Sequence, residues 1–245
     1  ADDEPWTAAD VALVDEAEAV LGGRPRRYGH LVVDEAQDLS AMALRMLARR
    51  CSRFPSMTIL GDLAQSTAPG GQSSWDDVSA VLGQPEQMLY AELDIGYRVP
   101  GQILDVANRL LPDAGVDVAP ARSARRTADE PRFVAVDVDE RAGAVVAAAD
   151  ELSERHPTVA VIAPPELHET LITAGLPVGE ALAAPVSLIT PAESKGLEFD
   201  AVIVVEPALV AASGPAGVRL LYVAVTRAVQ HLTVIESSSR QDGGQ

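Results

Sequence analysis

Short runs of aliphatic residues alternate along this chain with longer segments of helical character. Runs that are apolar throughout are typical of strands buried on both faces of a parallel sheet. Parallel strands need long crossover connections, which are usually helices packed on the faces of the sheet. The alternation therefore predicts an α/β fold, with parallel sheets covered by helices on both faces.

The predicted elements follow from hydrophobic period, capping residues and turn residues. Strands are predicted at residues 30–33, 57–60, 87–93, 132–138, 158–163, 185–190, 201–205 and 231–236. Helices are predicted at residues 7–21, 40–50, 75–82, 99–111, 141–155, 166–174 and 218–229. Two polar or Pro/Gly/Ser-rich segments are predicted to be a loop and a disordered tail, at residues 113–130 and 237–245.

The charge and composition exclude several classes of protein. The net charge is −17, so the surface repels a phosphate backbone on average, and a nucleic-acid contact would need a local groove. The same charge is compatible with docking on a basic protein. No apolar run is long enough to cross a membrane, and the acidic N-terminus is unlike a secretory signal. The single cysteine, Cys51, suits a reducing compartment, so a cytoplasmic location is predicted.

Carboxylates follow the first predicted strand directly, at Asp34 and Glu35. The carboxyl ends of parallel strands are where ligands of such folds bind. One carboxylate there can hold Mg²⁺ through its water shell, and its neighbour can orient or deprotonate an attacking water. The alternative is an acidic loop before the next helix, with both carboxylates simply solvated.

Four further motifs carry candidate residues, each with a simpler structural alternative. Gly-Asp-Leu-Ala-Gln places Gln65 after the second strand, where its amide can donate to a γ-phosphate. The simpler alternative is a strand-to-loop connection in which the aspartate closes an Asx-turn. Tyr97 and Arg98 can stack on a base and bind a phosphate, or simply lie on the surface. Lys195, the only lysine of the chain, lies in Ser-Lys-Gly-Leu-Glu-Phe-Asp, which is also a plausible loop. Arg227 ends an apolar segment and needs a phosphate or a carboxylate as partner.

Asp-Glu-Ala-Gln-Asp, Gly-Asp-x-x-Gln, Tyr-Arg, Ser-Lys-Gly-Leu-Glu-Phe-Asp and Tyr-Val-Ala-Val-Thr-Arg-Ala occur here in this order. Together they resemble motifs II to VI of the UvrD/Rep-like superfamily 1 helicases, over the chain from Tyr28 to Ile235. About ninety residues separate Arg98 from Thr190, enough for one RecA-like domain without a large insertion. In this respect the chain most resembles the HelD-type helicase-like proteins, which release RNA polymerase from stalled or idle complexes.

The resemblance implies a P-loop NTPase fold made of RecA-like domains. Residues 1–90 would be the C-terminal part of a first domain, and residues 91–236 would be a complete second domain. ATP and Mg²⁺ would be the cofactors. In the first domain, Asp34 would coordinate Mg²⁺, Glu35 would activate water and Gln65 would sense the γ-phosphate.

The resemblance also implies roles for residues of the second domain. Tyr97 would stack near the adenine and Arg98 would contact the γ-phosphate. Gly196 would belong to the nucleotide-binding loop, and Glu198 would bind the ribose. Arg227 would be the arginine finger that reaches across the cleft between the two domains.

Two departures from the family pattern affect the expected function. The phosphate-binding loop G-x-x-x-x-G-K-[ST] is absent, because Lys195 is followed by Gly196. We therefore expect an N-terminal part of the same protein to supply this loop, and this chain to be inactive alone. Ala192 replaces a histidine usual in the DNA-translocating relatives, which puts the usual contact with the DNA strand in doubt.

Three functions remain open from the sequence. The favoured one is a helicase-like ATPase that remodels complexes of RNA polymerase and nucleic acid, with polymerase or DNA as partner. The second is a fragment of a UvrD-type DNA repair helicase. The third is a non-catalytic module that uses the same fold only for protein binding.

Overall fold

The computed structural model describes residues 6–51, 56–83, 88–127, 129–177 and 185–238. The chain divides between Glu92 and Leu93 into two compact units, which are described separately. No helix among the described residues is both long and apolar enough to cross a membrane.

The first two helices of the first unit begin directly after the capping residues Thr7 and Ser40, where the sequence predicts them to begin. The helices described in this unit are α1 (Ala8–Val20), α2 (Ala41–Arg49) and α3 (Trp75–Leu82). Before α1, the Thr7 amide donates to Asp10 Oδ2 at 2.8 Å and the Asp10 amide donates back to Thr7 Oγ1 at 3.3 Å, which is a capping box. Ser40 caps α2 by accepting a hydrogen bond from the Ala43 amide at 3.2 Å.

Two parallel strands, β1 (Leu31–Val33) and β2 (Met57–Ile59), form the sheet described in the first unit. Leu31 is in register with Met57, and Val33 with Ile59. One face of β1 is open to solvent, since Val32 is 68% exposed. The prediction that β1 is buried on both faces is therefore wrong among the described residues, because nothing in this unit covers Val32.

An arginine-rich face of α2 holds α1 in place. Arg49 forms ion pairs with Asp15 and Glu16, Arg50 pairs with Asp15, and Arg45 pairs with Glu16 at 2.7 Å. The Arg50 hydrogen bond lowers the pKa of Asp15 and outweighs the opposing effect of burial. These pairs form a network in which each carboxylate serves two arginines, so they stabilise the helix pair more than isolated surface pairs would.

The second unit is built on a five-stranded parallel sheet with strand order β5-β9-β8-β6-β7. Its strands are β5 (Arg132–Val136), β6 (Val159–Ile162), β7 (Val186–Ile189), β8 (Phe199–Val205) and β9 (Ala228–Ser237). Its helices are α4 (Gly101–Asn108), α5 (Arg141–Ser153), α6 (Pro165–Thr173), α7 (Pro207–Ala211) and α8 (Pro215–Val225).

Both faces of this sheet are buried. Ala201 and Ile203 of β8 lie in one core cluster with Val145 and Leu152 of α5. Val202 and Val204 alternate to the opposite face, where they are also buried, and α8 packs against β8 and β9. The α/β class with a parallel sheet covered by helices is confirmed.

The third predicted strand is wrong where the structure describes it. Residues 88–93 are irregular, with Leu89 98% exposed and Leu93 86% exposed, and Gln87 lies outside the described residues. Pairing begins later, in β3 (Ile95–Gly96), which is parallel to β4 (Arg122–Ser123). The apolar pattern predicts a strand at 88–93, but among the described residues no strand pairs with the backbone of this segment. The strand β4 falls inside the segment that we expected to be a loop.

Other boundaries shift for local reasons. The helix predicted at 99–111 is α4, which starts after Pro100, and Leu111 belongs to a separate 3₁₀ turn. The helix predicted at 218–229 is α8, which ends at Val225 because β9 already starts at Ala228. The short helix α7 was not predicted. Ser237, placed by its polarity in the tail, ends β9, and residues 239–245 lie outside the described part.

Candidate functional site

The carboxyl end of β1 presents the two acidic residues of the first motif. Asp34 is exposed, and its Oδ1 accepts a hydrogen bond from the Glu35 amide at 2.8 Å. Glu35 has φ 53° and ψ 35°, a left-handed conformation that is uncommon for residues other than glycine. This conformation turns the chain sharply from the strand into a 3₁₀ turn at Ala36–Asp38. Both carboxylates therefore lie at the edge of the sheet, where a ligand can reach them.

Gln37 joins the first motif to the second, and we assigned it no role from the sequence. Its side chain is fully buried; Nε2 donates to Glu35 Oε2 at 2.7 Å, and Oε1 accepts from the Asp62 amide at 3.1 Å. Its backbone carbonyl accepts from the Gln72 amide at 2.6 Å. A buried amide with both ends bonded fixes its neighbours, so Gln37 orients the Glu35 carboxylate. The sequence signal that could have identified this role is the single glutamine among the acidic residues of Asp-Glu-Ala-Gln-Asp.

The second motif lies beside the first. Asp62 Oδ1 caps the turn Leu63–Gln65 by accepting from the Ala64 amide at 2.9 Å, and Gln65 Nε2 donates to Asp62 Oδ2 at 2.8 Å. The Asx-type turn considered from the sequence is present, and it also holds Gln65 next to Asp62. A Cβ added at Gly61 would lie 2.4 Å from Gln37 Oε1, so the close approach of the two motifs requires glycine there.

In the second unit, Arg98 and Glu198 lie together although a hundred positions separate them in the sequence. Arg98 Nη1 is 3.5 Å from Glu198 Oε2, and both side chains are more than half exposed. Tyr97, beside Arg98, is 76% exposed. The three residues thus form an accessible polar patch, which can bind an anion or a base.

The turn that carries Lys195 is ordered by reciprocal hydrogen bonds between Thr190 and Glu193. The Thr190 amide donates to Glu193 Oε2 at 2.8 Å, and the Glu193 amide donates to Thr190 Oγ1 at 3.2 Å. The bond from the Thr190 amide holds the pKa of Glu193 below its usual range. Gly196 has φ +75°, which favours glycine for conformational reasons alone.

Arg227 is buried, only 3% exposed. Its Nε donates to the Val223 carbonyl at 3.1 Å and its Nη1 to the Leu197 carbonyl at 3.2 Å. Its backbone carbonyl accepts from the Phe199 amide at 3.0 Å. The sequence led us to expect a phosphate or a carboxylate as partner, but these hydrogen bonds go to main-chain carbonyls.

The structure therefore brings the predicted residues together in two groups, one in each unit. Among the described residues, no three His, Cys, Asp or Glu side chains are grouped to enclose a metal ion. The exposed carboxylate of Asp34 fits a looser mode, in which Mg²⁺ keeps several waters and binds one carboxylate together with substrate phosphates.

Comparison with known proteins gives one family match and a set of similar solved structures, two of which are described here. Residues 185–235 match the model of the UvrD-like helicase C-terminal domain. The C-terminal domain of a possible DNA helicase from Lactobacillus plantarum WCFS1 is 28% identical, covers 59% of this chain and 89% of its own, and has a TM-score of 0.44. The PRRSV helicase is 18% identical, covers 86% of this chain and 35% of its own, and has a TM-score of 0.49.

A search of curated proteins gives no match. Both TM-scores are modest, so the fold class rests on the order and direction of this chain's own strands. The matched segment contains three of the candidate residues, Gly196, Glu198 and Arg227. Residues 185–235 are thus similar to the C-terminal domain of UvrD-like helicases.

Proposed function

We propose that this chain is the C-terminal part of a superfamily 1 helicase-like ATPase. The activity proposed for the whole protein is ATP hydrolysis coupled to remodelling of complexes of RNA polymerase and nucleic acid. The observation that carries the proposal is the match of residues 185–235 to the UvrD-like helicase C-terminal domain. The arrangement of Asp34, Glu35 and Gln37 in the other unit supports it.

The first unit would supply the groups that act on water and metal. Asp34 would hold Mg²⁺, which neutralises phosphate charge when bound. Glu35 would orient the attacking water and accept its proton, and Gln37 keeps the Glu35 carboxylate in one orientation through its 2.7 Å hydrogen bond. Gln65, held by Asp62, would donate its amide to the γ-phosphate.

The second unit would supply cations and the ribose contact. Arg98 is exposed and now paired with Glu198, so a phosphate can replace that carboxylate as its partner. Tyr97 would stack on the base, and Gly196 gives the turn before Glu198 its shape. Arg227 would contact the transferring phosphate, which requires it to exchange its present bond to the Leu197 carbonyl.

This chain alone should turn over little ATP. The sequence has one lysine, Lys195, and that lysine is not part of a phosphate-binding loop. Without such a loop the β- and γ-phosphates lack their cradle of backbone amides. The partner that completes the site would be an N-terminal part of the same protein.

The choice of RNA polymerase over DNA as the main partner rests on charge and on one residue. A net charge of −17 repels nucleic acid and favours a basic protein surface. Ala192 is exposed and offers no side-chain donor to a DNA strand. Binding of immobilised chain to purified RNA polymerase and to single-stranded DNA separates the two; preferential binding of DNA would favour the repair-helicase alternative.

The direct test of the proposed activity is Mg-ATP turnover by this chain, with and without single-stranded DNA. We expect no turnover above background in either condition. Turnover that is lost in Arg227→Ala would show that phosphate binding is built in another way and would contradict our account of the missing loop. Catalytic turnover restored by adding the P-loop-bearing part would support the proposal, whereas its absence would favour a binding module.

A further inference from the structure

The turn at residues 197–199 is fastened to Arg227 on both sides. Leu197 offers its carbonyl to Arg227 Nη1 at 3.2 Å, and Phe199 donates its amide to the Arg227 carbonyl at 3.0 Å. Glu198 lies between these two bonds. Phe199 is buried, 5% exposed, whereas the Glu198 side chain is 63% exposed. The main chain around Glu198 is therefore anchored while its carboxylate remains accessible.

The guanidinium that binds the Leu197 carbonyl is itself held in place by other hydrogen bonds. Its Nε binds the Val223 carbonyl at 3.1 Å and its Nη2 lies 3.3 Å from Thr226 Oγ1. Both partners belong to the C-terminal end of α8, where the carbonyls carry partial negative charge and favour a cation. A charge buried to this degree needs several bonds to compensate for lost hydration, so the guanidinium has little freedom to move.

Glu198 in turn faces Arg98, with Oε2 3.5 Å from Nη1. We infer that Arg227 is a positioning residue for Glu198: its planar guanidinium ties the 197–199 turn to α8, and so directs the Glu198 carboxylate towards Arg98. The significance of this for nucleotide binding rests on the proposed function, but the anchor itself does not. Because Nη1 serves the Leu197 carbonyl, a phosphate that takes Nη1 must also loosen the Glu198 turn.

The anchor is tested by hydrogen exchange of the backbone amides of residues 197–200 in the nucleotide-free chain. Arg227→Met keeps the aliphatic stem and loses the donors, and Arg227→Lys keeps the charge but cannot span the same carbonyls. Arg219→Met is the matched control, since Arg219 also lies on α8 and donates to a carbonyl, that of Ala114 at 2.7 Å. Exchange is compared with that of β6 amides in the same samples.

We expect both Arg227 variants to raise exchange at the Leu197 amide, which donates to the Ser194 carbonyl at 3.2 Å, by about tenfold or more, while β6 amides and the Leu197 amide of the Arg219→Met chain keep their protection. Unchanged protection at the Leu197 amide in Arg227→Met, or an equal rise throughout the second unit, would overturn the inference. If the variants do not fold, the unaltered chain still tests whether the guanidinium is held in place. We then expect a slowly exchanging Arg227 Nε–H proton in the NMR spectrum, and fast exchange of this proton would contradict the inference.

The effect of Arg227 on ribose recognition is measured in a separate experiment. Mg-ADP and its 3′-deoxy analogue are titrated into the chain and the Arg227→Lys variant. We expect the preference for the ribose over the deoxyribose form to shrink in the variant, and an unchanged preference would contradict the positioning of Glu198. If neither nucleotide binds the unaltered chain, the proposed function fails, and the exchange experiment still decides whether Arg227 anchors the turn.

Discussion

Gln37 is the residue on which the geometry of the first unit depends most. Its buried amide bonds the Glu35 carboxylate on one side and the Asp62 amide on the other. Gln37→Leu has a similar volume but removes both of these hydrogen bonds. We expect it to lower the free energy of unfolding by about 1–3 kcal/mol, measured by urea denaturation. Gln65→Leu, at a half-buried position, should cost less; an equal or larger loss there would contradict this role.

Glu206 shows how a buried charge is tolerated in the second unit. Its carboxylate receives Arg141 Nη1 at 2.9 Å and the Ser237 amide at 3.1 Å. Burial alone would raise the pKa of Glu206, but hydrogen bonds from the Ser237 hydroxyl, from Arg141 and from the Ser237 amide outweigh burial and lower it. The group is therefore ionised at neutral pH and depends on its partners.

Removing the Arg141 guanidinium tests how much the stability of the second unit depends on its ion pair with Glu206. Arg141→Met leaves Glu206 buried without its counter-ion, and we expect a loss of about 3 kcal/mol in unfolding free energy. The matched control is Arg132→Met, which breaks an exposed pair with Glu151 and should change stability little. Thermal unfolding of both variants decides; equal shifts in melting temperature would contradict the assigned role of Glu206.

At the scale of elements, two buried histidines lie together in the second unit: His156 precedes β6, and His231 belongs to β9. The rings of His156 and His231 stack with centroids 6.0 Å apart. Among the described residues, neither His156 Nε2 nor His231 Nδ1 has a hydrogen-bond partner. Burial lowers the pKa of His231, while Asp129, 3.8 Å away, opposes that effect.

This arrangement predicts acid sensitivity of the second unit. The folded chain binds a proton at His231 less readily than the unfolded chain, whose histidines have a pKa of about 6.5. Stability from this group is therefore present above pH of about 6.5 and is lost as the pH falls below it. His231→Gln should flatten the dependence of unfolding free energy on pH in that range. His30→Gln, at an exposed site, should not; an unchanged slope in His231→Gln would contradict the prediction.

Elements with a strong local pattern were predictable from the sequence, and those fixed by distant partners were not. Capping residues located α1 and α2, and continuous apolar runs located β6 and β8. The two-residue strand β4 pairs with β3 through hydrogen bonds from the Arg122 amide to the Asp94 carbonyl and from the Ala124 amide to the Gly96 carbonyl. No local pattern announces such a pairing.

The candidate residues were predictable by motif, but their contacts were not. Asp34, Glu35 and Gln65 lie at strand ends, as their positions after apolar runs indicated. The pairing of Arg98 with Glu198 and the burial of Arg227 depend on how distant segments pack. From the sequence alone we expected a carboxylate or a phosphate as the partner of Arg227. We did not consider main-chain carbonyls at the end of α8 as partners.

At the scale of the whole molecule, the two units should differ in their ability to fold alone. The second unit holds the large core cluster and a sheet buried on both faces. The first unit leaves Val32 and Leu60 exposed beside a two-stranded sheet. A sheet of two strands is marginal without further packing.

We therefore expect residues 93–238 to be monomeric and to unfold cooperatively, and residues 1–90 to associate or precipitate. Analytical ultracentrifugation and urea denaturation of the two fragments test this. A monodisperse 1–90 fragment with cooperative unfolding would contradict the division into a complete and a partial domain.

We propose that the candidate residues of each unit bind Mg-ATP. The most direct measurement is an NMR titration of the isotope-labelled chain with Mg-ATP, because it detects binding even at affinities of about 1 mM. We predict Mg²⁺-dependent shifts clustered at residues 34–37, 61–65, 97–98 and 196–198, weakened by Asp34→Asn and not by Asp76→Asn. Shifts confined to other surfaces, or none at saturating nucleotide, would contradict the assignment of these residues to ATP.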